Sequence, residues 1–391
     1  MLLQKNSKAY VLENLEEITK VMGQFADEVD KECRFPIEAI NKMKEYHLLG
    51  AYIPTDFGGL GCSIEELVQI AKLLGKYCAS SAMIWAMHQI QLICLVHHHE
   101  ENEAVKKYLT KAADYQYLIA SITSEVGTGG DISRSICGIE WKEEYSKLSK
   151  KASVISYGKY ADAYLVTARK GINASETDQL LVLCERTNII SEQTTEWDTL
   201  GMRGTCSPGF NIEAIFPNDF VLNLPFKDIA IQSMVPVTHI LWAAVWYGVA
   251  EAALEKARNM HKRNYKQHLK AGLATSTNYD LVDLQNKLSL FKNNLQIHTH
   301  KYQEISKNLD SKSNELYEID YSLEINTLKI TSSEIALEIV QKSLFICGIL
   351  GYLNNTPSSL GRSIRDIMSS IVMINNDRLY ATNSSLLLLL K

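Results

Sequence analysis

The sequence has few of the patterns that mark metal-binding, disulfide-bonded or nucleic-acid-binding proteins. None of its eight cysteines forms a CxxC pair, so neither a zinc site nor a disulfide framework is indicated. The net charge is -5 and no basic run stands out, which disfavours a nucleic-acid partner. The stretch MLLQKNSKAYVLEN lacks the apolar run of a signal peptide, and no segment reaches the ~18 apolar residues of a membrane span. We therefore expect a soluble, cytoplasmic protein with no membrane partner.

The distribution of apolar residues and turn formers divides the chain into three parts. With 391 residues, the chain is too long for one simple core. Residues 1–118 have helical periodicity, residues 119–228 contain short β-rich runs separated by turns, and residues 229–391 are helical again. This order predicts an α+β fold with an N-terminal helical domain, a middle β domain and a C-terminal helical domain.

Several element boundaries follow from local patterns. Ser63 with Glu66 three residues later is a capping-box pattern, which predicts a helix that begins there and runs through Ile90. In the C-terminal part, the polar stretch 308–320 predicts a loop or a helix junction. The four long helices expected there have the ranges 237–263, 281–307, 325–350 and 363–390.

A glycine-rich stretch, SITSEVGTGGD at residues 121–131, is the first candidate for a binding site. Glycine adopts backbone dihedrals that clash for other residues, so Gly129 and Gly130 allow a ligand to approach the backbone closely. The stretch is not a phosphate-binding P-loop, because no GK[ST] follows it. An ordinary surface turn without a ligand is the alternative.

Four blocks of the sequence resemble the acyl-CoA dehydrogenase superfamily, in the order and spacing of that family. They are LLGAYIPTDFGGLGCS with the following CASSAMIWAMH, SITSEVGTGGD, LGMRGTCSPGFNIEAIFP (200–217) and CGILGYLNNTPSSLGRSIRD (347–366). The resemblance covers nearly the whole chain. It implies that the C-terminal domain is a four-helix bundle, that FAD lies between this bundle and the β domain, and that the protein is a homodimer or homotetramer.

The resemblance also assigns residues to the cofactor site. Ser124 would hydrogen-bond the flavin through its hydroxyl, and the backbone of Gly129 and Gly130 would approach the cofactor and the thioester substrate. The stretch VISYG (154–158) would form the second wall, with Val154 in place of an aromatic residue; for the Ser156 hydroxyl, an ordinary strand position is the alternative. The full set implied is Ile122, Ser124, Gly129, Gly130, Val154 and Ser156, with Gly130 also binding substrate.

The residue that removes the substrate proton in the family is missing. An acyl-CoA dehydrogenase needs a carboxylate near the α-carbon of the thioester. In most members this is a glutamate eight residues after the Asp of the RD pair, and counting from Asp366 gives Ile374. The minority position of the family corresponds to Thr238, which is not a carboxylate either.

Other residues near these positions are candidates for the missing role. His239 is a candidate base or acyl-binding residue, with a core or surface histidine as the alternative. Asp377 and Asn375 follow the lost glutamate, and a solvated Asp377 is the alternative. His88 is a candidate substrate-binding residue. We expect no metal site at HHHEE (97–101), because consecutive residues of a helix do not face one ion.

Positions that contact the flavin from a second subunit in the family are altered as well. The stretch KRNYKQH (262–268) replaces the family's R-x-x-FG, while Phe345 and Ile349 replace a glutamine and a glycine. This predicts FAD bound with different pyrophosphate contacts or more weakly, and leaves FMN or loosely held reduced flavin as alternatives.

Three functions are compatible with this pattern. The first is flavin-dependent oxidation of an acyl thioester on coenzyme A or an acyl-carrier protein, with a short or polar acyl group in a biosynthetic pathway. Its electron acceptor would be an electron-transfer flavoprotein or oxygen. The second is a monooxygenase of the same fold that uses reduced flavin. The third is a non-catalytic, flavoprotein-like interaction partner, favoured by the lost glutamates and opposed by the retained flavin loop.

Overall fold

The N-terminal part of the chain is helical. The computed structural model describes residues 7–99, 102–274, 277–307 and 309–390. The capping box is confirmed, because the Ser63 hydroxyl accepts from the Glu66 N–H at 3.1 Å and the Glu66 carboxylate accepts from the Ser63 N–H at 2.7 Å. The predicted single helix is two helices, since Cys78 is extended. The helices are α1 Lys8–Glu13, α2 Leu15–Glu32, α3 Ile37–Glu45, α4 Ile64–Tyr77, α5 Ala79–His97 and α6 Glu103–Tyr115.

The middle part contains two three-stranded sheets. In the first, the strand order is β1-β3-β4, with β1 parallel and β4 antiparallel to β3. In the second, the order is β2-β6-β5 and all pairs are antiparallel. Burial alternates along β2, so one face of that sheet packs on the core. The strands are β1 Ile119–Ile122, β2 Tyr145–Ala152, β3 Ala163–Arg169, β4 Gln179–Glu185, β5 Ile189–Gln193 and β6 Phe210–Pro217.

The C-terminal part is helical again and is built around α8, which contacts α4, α5, α9 and α11. The fourth predicted long helix is two helices, α13 and α14, separated by the turn 373–375. The polar stretch 308–320 was predicted as a loop or junction and contains a short helix, α10. The helices are α7 Phe226–Ile229, α8 Val235–Lys270, α9 Tyr279–Ser306, α10 Leu309–Leu316, α11 Ile319–Cys347, α12 Ile349–Tyr352, α13 Gly361–Val372 and α14 Asn376–Leu387.

Charged residues of helix α13 connect the C-terminal part of the chain to the middle β part and to the N-terminal helices. The buried Asp366 carboxylate accepts from the Met202 N–H at 2.7 Å, which fixes the turn before the short 3₁₀ helix at residues 203–205. Gly201 packs so closely on α13 that a Cβ there would lie 2.1 Å from the Arg365 carbonyl oxygen. On the same helix, Arg365 forms an ion pair with Asp30 of α2. The segment RSIRD (362–366) of α13 therefore contacts both the β region and the N-terminal helices.

Two helices are apolar and long enough to cross a membrane by length and composition, which the sequence analysis did not anticipate. They are Ala79–His97 and Phe226–Lys270, and 89% and 78% of their apolar windows are buried inside the fold. Packing against neighbouring helices accounts for this apolar composition. The predicted fold class is confirmed: helices, a small β region and helices again. The domain boundaries at 118 and 228 stay a prediction.

Candidate active site

The glycine-rich loop after β1 leaves its backbone accessible. Gly129 and Gly130 have φ values of 63° and 79°, in the left-handed region that favours glycine. A Cβ built on Gly129 would meet no atom within 4 Å, so open space lies above this residue. The geometry matches the prediction that a ligand could come close to the main chain here.

A buried carboxylate holds this loop in place. Glu125 accepts from the Cys137 N–H at 2.7 Å, the Ile136 N–H at 3.0 Å and the Ser135 hydroxyl at 2.7 Å. Its counter-ion is Lys150 of β2, also buried, at 3.5 Å. Burial lowers the pKa of Lys150, and the charge of Glu125 opposes that effect. The sequence analysis missed this pair, although the alternation of β2 places Lys150 on the buried face.

The second predicted wall is attached directly to the loop. The Ser124 hydroxyl donates to the Val154 carbonyl oxygen at 2.7 Å, and the Val154 N–H donates back to the same hydroxyl oxygen at 3.3 Å. The Val154 side chain is 41% exposed. Ser156 accepts from the Ser207 hydroxyl at 3.0 Å, and Ile122 is buried within β1. The structure thus brings Ser124, Val154 and the glycines together, while their contacts to a flavin stay predictions.

Helix α14 reaches the same loop from the C-terminal part. Both terminal nitrogens of Arg378 donate to the loop, one to the Gly129 carbonyl oxygen and the other to the Gly130 carbonyl oxygen. A Cβ on Gly130 would lie at an ordinary contact distance of 3.4 Å from one of these nitrogens, so the positive φ and not the space favours glycine here. Arg378, which the sequence analysis did not single out, places the first turn of α14 beside the loop.

The turn before α14 contains residue 374, where the sequence analysis predicts the position of the family's glutamate. Ile374 has a left-handed φ of 51° and is 36% exposed. The Asn375 carboxamide oxygen accepts from the Asp377 N–H at 2.9 Å and caps α14, so this oxygen already has a partner. The Asp377 side chain is exposed in the first turn of the helix. Of the residues predicted here, Asp377 is the carboxylate. It precedes Arg378, whose side chain contacts the loop.

His239 lies inside the bundle. It is 1% exposed, and its Nδ1 donates to the Ile325 carbonyl oxygen at 3.0 Å. Burial, together with a smaller effect of the nearby Lys329 charge, lowers its pKa to about 4. The imidazole is therefore neutral at neutral pH, with Nε2 as its unprotonated nitrogen. A role as base or acyl-binding residue stays a prediction.

His88 connects α5 to neighbouring backbone. Its Nε2 donates to the Leu49 carbonyl oxygen at 2.9 Å, and its Nδ1 accepts from the Ile119 N–H at 3.0 Å. Burial lowers its pKa to about 4. Because both ring nitrogens have backbone partners, His88 has no free nitrogen for a substrate, and this geometry favours a structural role over the predicted substrate contact.

The histidines of HHHEE contact neighbouring side chains and main-chain groups. The Ser233 hydroxyl contacts Nδ1 of His97 and Nε2 of His98, each at 2.9 Å, and the Tyr52 hydroxyl contacts the other nitrogen of His97 at 2.6 Å. Glu100 and Glu101 lie outside the described residues. Within the described ranges, no group of three or more His, Cys, Asp or Glu side chains is placed to hold a metal ion.

Comparison with known proteins supports one protein superfamily. Residues 12–116 match the model of the acyl-CoA dehydrogenase N-terminal domain. The chain is 23% identical over 380 residues to a 3-(aryl)acrylate reductase of Clostridium sporogenes, covering 94% of this chain and 92% of that protein. It is also 23% identical to cyclohex-1-ene-1-carbonyl-CoA dehydrogenase of Syntrophus aciditrophicus, covering 62% of this chain and 59% of that one. These matches support the acyl-CoA dehydrogenase superfamily.

Solved structures share the superfamily fold over almost the whole chain. A nitrososynthase from Micromonospora carbonacea var. africana superposes with a TM-score of 0.80 at 18% identity, covering 96% of this chain and 95% of that chain. FMN-bound TdsC from Paenibacillus superposes with a TM-score of 0.77 at 17% identity, covering 96% of both chains. At this identity, these likenesses establish the fold alone.

The cofactor supported by these comparisons is a flavin, which in this superfamily is FAD. The homologues also support an oxidoreductase. The residues present fit such a group. Gly129 leaves open space, and the exposed Val126 and Val154 offer apolar surface beside the hydrogen-bonded Ser124. An apolar slot with a few polar groups at its edge is what a flat ring system requires.

Proposed function

We propose that the protein oxidises a thioester-linked acyl group with a bound flavin. The observation that carries this proposal is the contact of Arg378 with Gly129 and Gly130, because it sets the flavin loop against the turn where the family removes the substrate proton. One named relative is a dehydrogenase of an acyl-CoA compound, which supports thioester chemistry in this chain.

FAD, when bound, would supply the acceptor for a hydride from the β-carbon. In this proposal, Ser124 and Val154 hold one wall of the flavin slot, and the backbone of Gly129 and Gly130 lies against the thioester. Asp377 takes the α-proton, because it is the carboxylate beside the residue that contacts the loop. His239 is the weaker candidate, since it is buried and already bonded through Nδ1.

The substrate we propose is a short or polar acyl group of a biosynthetic pathway, carried on coenzyme A or an acyl-carrier protein. Support comes from the polar candidates Asn375 and His239, which stand beside or at positions where the sequence analysis expects charged residues of the family. The electrons pass to an electron-transfer flavoprotein or to oxygen. A homodimer or homotetramer is supported by the exposed apolar residues Phe345, Ile349 and Tyr352 on α11 and α12.

The test is the visible spectrum of the purified flavoprotein under anaerobic conditions. A panel of acyl-CoA and acyl-carrier thioesters is added, and bleaching of the oxidised flavin by one of them is the expected result. Asp377→Ala should slow bleaching by at least about 100-fold, within the range expected for loss of general-base catalysis. The matched control is Asp280→Ala, another exposed first-turn aspartate, which should bleach normally. A flavin that stays oxidised with every thioester would refute the proposal.

A reduced-flavin-dependent monooxygenase is the second candidate. It is favoured by the turn 373–375, which has no carboxylate, because activation of oxygen does not require removal of an α-proton. Solved structures with this fold include a methanesulfinate monooxygenase from Pseudomonas fluorescens, with a TM-score of 0.77 at 16% identity. Reduced flavin and oxygen supplied to the protein would then yield a hydroxylated product, whereas anaerobic thioesters would leave oxidised flavin unchanged.

A further inference from the structure

Lys329 of α11 is a buried amine directly behind the turn 373–375. Lys329 is 0% exposed, and its Nζ donates to the Ile374 carbonyl oxygen and, at 2.5 Å, to the Asn376 carboxamide oxygen. Among the described residues, no carboxylate lies within 4 Å of this amine to form an ion pair. A buried ammonium without a counter-ion is costly, so its hydrogen bonds to this turn are its main compensation.

The residue that Lys329 contacts has an unfavourable backbone conformation. Ile374 has φ of 51°, and it is the one β-branched residue among the described non-glycine residues with positive φ. This conformation costs of the order of 1–3 kcal/mol for a β-branched residue, so surrounding contacts must hold it. The hydrogen bond from Lys329 to the carbonyl of this same residue is such a contact.

Asn376 anchors the other end of the turn. Its Nδ2 donates to the Ser333 hydroxyl at 3.1 Å, while its Oδ1 accepts from Lys329. Two residues of α11, Lys329 and Ser333, therefore hold the turn through hydrogen bonds. Burial lowers the pKa of Lys329 to about 8, which is typical of a lysine within or beside a functional site.

We propose that Lys329 is a positioning residue of the active site: its amine holds residues 373–376 in the conformation that presents Ile374 and the first turn of α14 to the flavin loop. This inference rests on the proposed function for its catalytic consequence, but its structural part can be tested separately.

The first test is amide hydrogen exchange of the flavin-loaded protein, followed in the peptide that covers residues 368–380. Lys329→Met should raise exchange of this peptide by about tenfold or more, the factor that corresponds to losing 1.4 kcal/mol of local stability. The matched control is Asn326→Leu, which breaks the 2.8 Å bond from Asn326 of α11 to Asn383 of α14 without touching the turn. An equal effect of both variants, or no effect of Lys329→Met, would overturn the proposal.

The second test uses the strain at Ile374. Glycine adopts positive φ freely, so Ile374→Gly should make the turn less dependent on Lys329. Lys329→Met should then slow thioester-dependent bleaching by about tenfold in the Ile374 background and by less than about threefold in the Ile374→Gly background. Equal losses in both backgrounds would overturn the positioning role. If no thioester bleaches the wild-type protein, the proposed function fails, while the exchange experiment still decides the role of Lys329.

Discussion

Replacing Asp366 by asparagine should stabilise the protein at alkaline pH. Burial raises the pKa of Asp366 from 3.8 to about 6, against the opposing charges of Arg362 and Arg365. A carboxyl whose pKa is higher in the folded state favours folding while it stays protonated, and stability is lost as the pH rises through 6. Asparagine keeps an oxygen that can accept from the Met202 N–H and removes the charge.

The magnitude follows from the two pKa values. The shift of about two units corresponds to a penalty of about 3 kcal/mol at pH 8 and about 1.6 kcal/mol at pH 5. For a chain of this length, 1 kcal/mol changes Tm by about 1.2 °C. Asp366→Asn should therefore melt about 4 °C above the wild type at pH 8 and about 2 °C above it at pH 5, measured by circular dichroism.

Asp366→Ala separates the charge from the hydrogen bond. It removes the acceptor and leaves the buried Met202 N–H without a partner, which costs about 1–3 kcal/mol relative to asparagine. The alanine variant should melt below the asparagine variant at both pH values. The reasoning is refuted if Asp366→Asn melts below the wild type at pH 8, because the ionised carboxylate would then stabilise the fold through its arginine neighbours.

Three further changes test other parts of the structure. Glu125→Gln leaves Lys150 buried without its counter-ion and should lower the free energy of unfolding by about 3–5 kcal/mol in urea denaturation; an unchanged midpoint would contradict this. Burial lowers the pKa of His97 to about 3, so stability is lost as the pH falls below 6.5, and His97→Gln should move the acid-unfolding midpoint to lower pH. Ile374→Glu should accelerate anaerobic flavin bleaching by acyl-CoA thioesters in stopped-flow measurements, and an unchanged rate would count against the assigned register.

Local chemistry made part of the fold predictable. Ser63 and Glu66 form the capping box that their spacing predicts, because both partners lie within one helical turn. The break between α13 and α14 was missed because Ile374 is neither a glycine nor a proline, although Asn375 and Asn376, which follow it, are residue types typical of turns and helix N-caps. A left-handed isoleucine is held by contacts from another helix, and no local pattern reports such contacts.

The glycine loop was predictable from its own sequence, because glycines allow positive φ values. The residues that fix the loop were not predictable from that sequence. Glu125 and Lys150 are distant in sequence and meet only when β2 packs behind the loop. His88 was predicted to bind the substrate, whereas both its ring nitrogens bond to backbone in the structure, which favours a structural role. A buried imidazole satisfies unpaired backbone groups as readily as it binds a ligand.

The missing glutamate and the buried lysine are best understood as one change. Lys329 follows Ile325 and Leu328 on the buried face of α11, so an apolar residue would be expected at its position. Its amine donates to the carbonyl of residue 374, the position of the family's carboxylate. A glutamate at that position would be attracted to this amine, and the attraction would lower its pKa and weaken it as a base. With isoleucine there, the amine holds the turn through the main-chain carbonyl, and in the function proposed above the proton is removed by Asp377, in the first turn of α14.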